Sequence, residues 1–265
     1  MPGRWTSLLA GRRRPALPPH VRVDTDVGPL LYPAHDKLMP GLVAEQGGRW
    51  EPEESDLLLR WLSPGMTFVD IGAHVGYMTL LGSRAVGPTG AVVAVEASPL
   101  NAALLRANVA ANRAANVEVV EGAAGDRSGR VELSLSDWNS GDNRAYGVPG
   151  MERVEVDAVR LDDVLRGRRV DVVKVDTQGT DHRAVAGMEA SLRRWRPPLL
   201  VEFWPPTIAE QGDDPLAVLA GYRHLGYEVR MLGRPEDAPP PHPQAIVDAA
   251  LATQGQWCNL VLLPA

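Results

Sequence analysis

Cysteine and lysine are almost absent from this 265-residue chain. Cys258 is the one cysteine, so no disulfide can form within the chain, and nothing in the cysteine count points to an oxidising compartment. No apolar run nears the ~20 residues of a membrane helix, so a membrane is not an expected partner. Positive charge is also short: 27 Lys and Arg stand against 33 Asp and Glu, a net charge of −6. Nucleic-acid affinity rests on neutralising phosphates, so an acidic chain is a poor fit to that function. Lys37 and Lys174 are the only lysines. Lys174 stands inside an apolar run and so stands out from the background.

What is present is ordinary globular material. The chain is 45% hydrophobic and 23% charged, which excludes a disordered, collagen-like, coiled-coil or disulfide-framework protein. A chain of this length hides roughly 70–75% of its unfolded surface in one large domain or two small ones. Residues 1–23 carry Arg4, Arg12, Arg13, Arg14 and Arg22, four prolines and no acid. They read as a solvated, partly flexible arm, the start of an extension running to residue 48. No apolar stretch follows the three arginines, which argues against a twin-arginine export signal.

From residue 49 to 265 the pattern alternates. A helix is expected over 50–62, ended by Ser63-Pro64-Gly65. Strands follow at 67–71, 91–96, 117–121, 171–176 and 198–204, with helices at 76–86, 99–112, 181–194 and 215–226. Ser98-Pro99 opens the second of those helices as a cap followed by proline. Two late strands lie at 227–232 and 257–263, separated by a Pro-rich loop at 235–243. Between 130 and 160 are two β-like pieces flanking a polar, Gly-rich stretch, 137–150, that contains Trp138 and Tyr146. Such alternation predicts a doubly wound α/β domain with a mostly parallel sheet covered on both faces. Its ligand is expected beyond the carboxyl ends of the strands, where strand order reverses.

The first strand, turn and helix contain Asp70-Ile71-Gly72-Ala73-His74-Val75-Gly76. Gly72 suits a sharp turn and close ligand approach, and Gly76 suits close packing of the helix. The helix start offers free N–H groups to a carboxylate or phosphate. Glu96 ends the next strand, where a carboxylate can accept both ribose hydroxyls. A dinucleotide would need glycine where His74 and Tyr77 stand, so S-adenosylmethionine fits better. Asp70 would take its amino group, the helix start its carboxylate and Glu96 its ribose. His74 itself reads as a packing residue.

VDIGAHVGYMTLL (69–81), VVAVEASPLNAALLRANVAAN (92–112), VRLDDVL (159–165), VDVVKVDTQGTDHRAVAGM (170–188) and LLVEFWP (199–205) together resemble FkbM-type S-adenosylmethionine-dependent methyltransferases. The resemblance implies a Rossmann-like, doubly wound, seven-stranded and mostly parallel sheet, the class I methyltransferase fold, with an N-terminal extension. It implies a donor site of Asp70, Gly72, Ala73, His74 and Gly76, then Glu96 and Ala97, with Gly122 and Ala123 beside the adenine. Trp50-Glu51-Pro52 matches a family segment before the first helix, which adds Glu51 to that site. Two departures stand out. The family commonly has Asn where this chain has His74, and its Lys-x-Asp-x-Glu-Gly-x-Glu block here ends in Gln178 and Asp181.

Methyl transfer to a hydroxyl needs alignment and a proton acceptor. Asp176 at the end of its strand is the expected residue facing the methyl group, and His182 is the natural base near neutral pH. Asp176, Asp181 and Glu202 are candidate oxygen ligands for Mg²⁺. The 137–150 stretch is a candidate substrate loop. The expected function is cytoplasmic O-methylation of a small-molecule natural product or its sugar, as in antibiotic and other secondary-metabolite biosynthesis. Transfer to an amine, a non-catalytic cofactor-binding module and a nicotinamide dehydrogenase are the alternatives.

Overall fold

Valine-rich runs too short for helices form the middle layer of the molecule, which is known here as a computed structural model describing residues 17–235 and 238–265. In chain order the elements begin with β1 (His20–Thr25), β2 (Gly28–Pro33), α1 (Met39–Glu45), α2 (Pro52–Trp61), β3 (Thr67–Ile71), α3 (Tyr77–Val86), β4 (Ala91–Glu96) and α4 (Pro99–Ala111). They continue with β5 (Val117–Glu121), β6 (Ala123–Gly125), β7 (Gly129–Leu135), β8 (Glu152–Arg160), α5 (Leu161–Leu165), β9 (Val172–Val175), α6 (Asp181–Ala186) and α7 (Glu189–Trp195). Last come β10 (Leu199–Phe203), α8 (Pro205–Glu210), α9 (Pro215–His224), β11 (Tyr227–Met231), α10 (Pro243–Leu251) and β12 (Cys258–Pro264). Arg4 and Arg12–Arg14 of the expected arm lie outside the described residues.

The central sheet has seven strands in the order β11-β12-β10-β9-β3-β4-β5. β3, β4, β5, β9 and β10 pair in parallel, and β12 runs antiparallel to both β10 and β11. Both faces are covered, as the unbroken apolar strands require. Val69, Ile71, Val173 and Val175 pack into one core cluster; Phe68, Val92, Val172 and Leu200 pack into the other. Strand order reverses between β3 and β9, where Asp70 pairs with Lys174 and Ile71 with Val175. Two buried charged side chains of the sheet, Asp70 and Lys174, therefore sit side by side at the switch point.

The expected helix over 181–194 is two helices. The first ends at Gly187, where a Cβ would lie 2.0 Å from the Gly125 carbonyl oxygen, so only glycine fits this approach to β6. The Asp162 carboxylate then accepts from the N–H groups of Ala190 and Ser191 and caps the second helix. The Pro-rich loop leads into an unexpected helix, α10, started by His242 and Pro243.

Residues 20–33, read from sequence as extension, form an antiparallel hairpin. Asn108 on α4 holds it by accepting from the Leu31 N–H and donating to the Leu31 carbonyl. Val27, Leu30, Tyr32, Met39 and Val43 share one core with Leu58 and Phe68. A second small sheet, β6-β8-β7, carries the 136–150 segment at its tip. Among the described residues no helix is long and apolar enough to cross a membrane.

Candidate active site

The cleft lies beyond the carboxyl ends of β3, β4, β9 and β10. Gly72 turns the chain with φ +81°, and a Cβ there would lie 1.7 Å from the Asp176 carbonyl oxygen. The sharp turn expected of this glycine is therefore present, and the loop after β9 packs against it as well. Gly76 has φ +103°, and a Cβ there would lie 2.5 Å from Leu105 Cδ1, so it does serve packing, against α4. Gly76 also stands at the start of α3, which has no side-chain cap and no acid in its first turn.

Glu96 closes β4. Its Oε2 accepts from the His74 N–H at 2.9 Å and its Oε1 from the Ser98 N–H at 2.9 Å. Burial pushes its pKa up to about 7, although those two donors pull it down. Oε1 also accepts from Asn101 Nδ2 at 3.5 Å, and Oε2 keeps a second lone pair open to a hydroxyl. Ala97, Asn101, Gly122 and Ala123 line the same recess.

Ser140, from the polar loop, occupies this end of the cleft and is 2% exposed. Its N–H and hydroxyl both donate to Asp36 Oδ2, its Oγ lies 2.7 Å from His74 Nε2, and its carbonyl accepts from Asn101 Nδ2 at 2.8 Å. His74 is half-buried, and desolvation drives its pKa down to about 4, leaving a neutral ring. About 50 Å³ of space is left here, against about 270 Å³ in the adjoining recess.

The adjoining recess has a charged floor. Lys174 Nζ donates to Asp176 Oδ2 at 2.8 Å and stands 4.0 Å from Glu51 Oε2. Burial alone would lower the lysine pKa, yet Asp176, Glu51 and Asp70 together raise it. Burial opposes ionisation of Asp176, but the Lys174 ammonium and Gln178 Nε2 hold its pKa below the ordinary value. Asp70 is fully buried: Oδ2 accepts the Thr79 hydroxyl at 2.5 Å, and Oδ1 has no partner. Glu202 is 9% exposed, its Oε2 has no partner, and burial raises its pKa well above normal. Glu51 precedes α2 in a left-handed conformation, φ +44°, with its pKa pushed by burial up to about 8.

Of the sequence-derived donor residues, Glu51, Asp70, Gly72, Ala73, His74, Glu96, Ala97, Gly122 and Ala123 line one or other recess, Gly76 lines neither, and Asp176 lines both. His182 lines neither. Its Nε2 lies 3.0 Å from Asp213 Oδ2, so its side chain is engaged away from the cleft. Asp181 accepts from the N–H groups of Thr177 and Gly179 and so holds the turn after β9. The carboxylates Asp176, Asp181 and Glu202 do not assemble as expected for Mg²⁺: among the described residues no three His, Cys, Asp or Glu side chains are grouped to hold a metal ion. Sequence reasoning missed the walls. Tyr32, Met39 and Leu42 come from the N-terminal segment, Trp257 from just before the last strand and Asn259 from within it. The one available signal was the apolar alternation around Leu30 and Tyr32, which the neighbouring prolines obscure.

Comparison with known proteins agrees with this fold. A crystal structure of methyltransferase FkbM from Methylobacillus flagellatus KT is similar with a TM-score of 0.51 and 17% identity, over 76% of this chain and 44% of that one. Fibrillarin of Aeropyrum pernix, crystallised with S-adenosyl-L-methionine, gives 0.45 and 13%, over 79% and 73%. Arsenite methyltransferase of Halobacterium salinarum is 40% identical over 57 residues, 22% of this chain and 15% of that protein. The chain thus spans less than half the length of the FkbM crystal chain and about a seventh of the curated relative. The order and direction of the seven strands are those of the class I methyltransferase fold. The Methyltransferase FkbM domain matches residues 70–229, well over half of the sequence, and the chain belongs to that family.

Proposed function

We propose that this chain is an S-adenosylmethionine-dependent O-methyltransferase whose acceptor is a hydroxyl of a small-molecule natural product or its sugar, in secondary-metabolite biosynthesis. The observation that carries the donor assignment is the unpartnered Asp70 Oδ1, buried at one end of a cleft whose other end is Glu96. Asp70 Oδ1 would accept the donor's ammonium, the uncapped start of α3 its carboxylate, and Glu96 its ribose hydroxyls. Gly122 and Ala123 would flank the adenine. Bound there, S-adenosylmethionine supplies an electrophilic methyl group.

The acceptor reading rests on the second recess. Trp50, Trp257 and Tyr32 offer flat apolar walls, and Asn139 and Asn259 offer hydrogen bonds, a combination that suits a ring bearing hydroxyls. Asp176 stays ionised and faces this space, so it can accept the acceptor's O–H and orient its oxygen. The acid excess of the floor also suits an amine acceptor.

Calorimetry with S-adenosylmethionine tests the donor site. Glu96→Ala is expected to weaken binding at least tenfold, since the hydroxyl contact to a buried carboxylate is lost. Undiminished affinity in that variant overturns the assignment, and NAD binding more tightly than S-adenosylhomocysteine would favour a dehydrogenase. With acceptor panels, Asp176→Asn is expected to slow transfer to a hydroxyl about 10²-fold or more. A variant that keeps its rate on an amine marks an N-methyltransferase instead.

A further inference from the structure

The recess floor carries more acid than its own cation can satisfy. Lys174 faces Glu51, Asp70, Asp176 and Glu202, and no other Lys or Arg lines this space among the described residues. Asp176 holds the lysine at 2.8 Å. Asp70 and Glu202 each keep a buried oxygen with no partner. Unpaired buried carboxylates are costly, so their retention points to a positive ligand. One such charge, the donor's ammonium, is already assigned to Asp70. Glu202 lies on β10, with β9 between it and Asp70 on β3. Glu51 lines the same recess from the residue before α2, in a left-handed conformation that a non-glycine residue normally avoids. Glu51 and Glu202 therefore call for a second positive centre besides the ammonium at Asp70.

We propose that Glu51 and Glu202 form a receptor for the sulfonium charge of the donor and make the cleft discriminate donor from product by charge. The proposal rests on the S-adenosylmethionine reading above. S-adenosylhomocysteine differs from the donor by one methyl group and one positive charge. Once the methyl group has left, the sulfur is neutral and the two carboxyls lose their ligand, which favours product release. The pair is surrounded by Glu54 on α2, Asp70 on β3, Lys174 and Asp176 on and after β9, Asp181 on α6 and Cys258 on β12. Burial and the acids among these favour a protonated pair in the absence of the donor, so donor binding is accompanied by proton release.

Titration calorimetry of the full chain at pH 7, in two buffers of different ionisation enthalpy, reads affinities and protons exchanged for both molecules. The unmodified chain is expected to release more protons on binding S-adenosylmethionine than on binding S-adenosylhomocysteine. Glu202→Gln is expected to lower the donor-to-product affinity ratio about tenfold, with product affinity changed less than twofold, because only the charged ligand feels the lost carboxylate. Glu51→Gln is expected to act in the same direction. An unchanged ratio in the folded variants, or equal proton release for the two molecules, overturns the proposal. Should Glu202→Gln fail to fold, Glu51→Gln decides it alone. If neither molecule binds the unmodified chain, it is the donor reading itself that falls.

Discussion

Replacing Lys174 by methionine removes the one ammonium from among Glu51, Asp70, Asp176 and Glu202 while keeping most of the stem's volume. The lysine side chain is 6% exposed and its hydrogen bond to Asp176 is 2.8 Å long. Removing one member of a buried pair strands the other, which costs about 3–5 kcal/mol. Volume-conserving repacking adds less than about 1.5 kcal/mol. Against a total stability of about 5–15 kcal/mol the loss is large. The pH dependence carries the argument. In the natural chain Asp176 has a depressed pKa, so its contribution is present above the unfolded value of 3.8 and is lost as pH falls through the folded value. Lys174 has a raised pKa, so its contribution is full below 10.5 and is lost at higher pH. In Lys174→Met the buried carboxyls take up protons at higher pH, and the penalty fades as pH falls from 7 towards 4. Urea unfolding at several pH values, with a constant slope, measures it. A penalty under about 1 kcal/mol at pH 7, or one that does not shrink on acidification, would refute the pairing as the source of the lysine's retention.

Two further expectations follow from backbone and loop geometry. Gly72→Ala combines a left-handed φ of +81° with a Cβ 1.7 Å from the Asp176 carbonyl, so urea unfolding should register a loss of roughly 2–5 kcal/mol; a loss near zero would mean that the turn repacks freely. Ser140→Ala removes the hydroxyl between Asp36 and His74, a loss of about 1–3 kcal/mol held locally. Trypsin should then cut after Arg144 about tenfold faster, read by mass spectrometry, and an unaltered cutting rate would show that Ser140 does not hold the loop.

Much of the sheet was legible because its signals are local. The runs at 91–96 and 117–121 are bounded by turn residues and match β4 and β5 to the residue. Glu96 and Asp70 stood out by their positions near strand ends and Lys174 by its incongruity in an apolar strand, and all three line the cleft. The unread parts depend on distant partners. The hairpin at 20–33 is held by Asn108 and Asn112, about 80 positions away, and its prolines suggested an arm. Ser140 is an unremarkable residue in a Gly-rich stretch until Asp36, His74 and Asn101 arrive from three separate segments. His182 was chosen for its chemistry, but the direction of its side chain is set by how α6 packs, and that direction leads to Asp213.

The recess beside Lys174 draws its walls from opposite termini. Tyr32, Met39 and Leu42 precede the shared 70–229 stretch, and Trp257 and Asn259 follow it. Evolution can therefore rebuild the chamber that greets the incoming molecule without disturbing the strands that grip the common reagent.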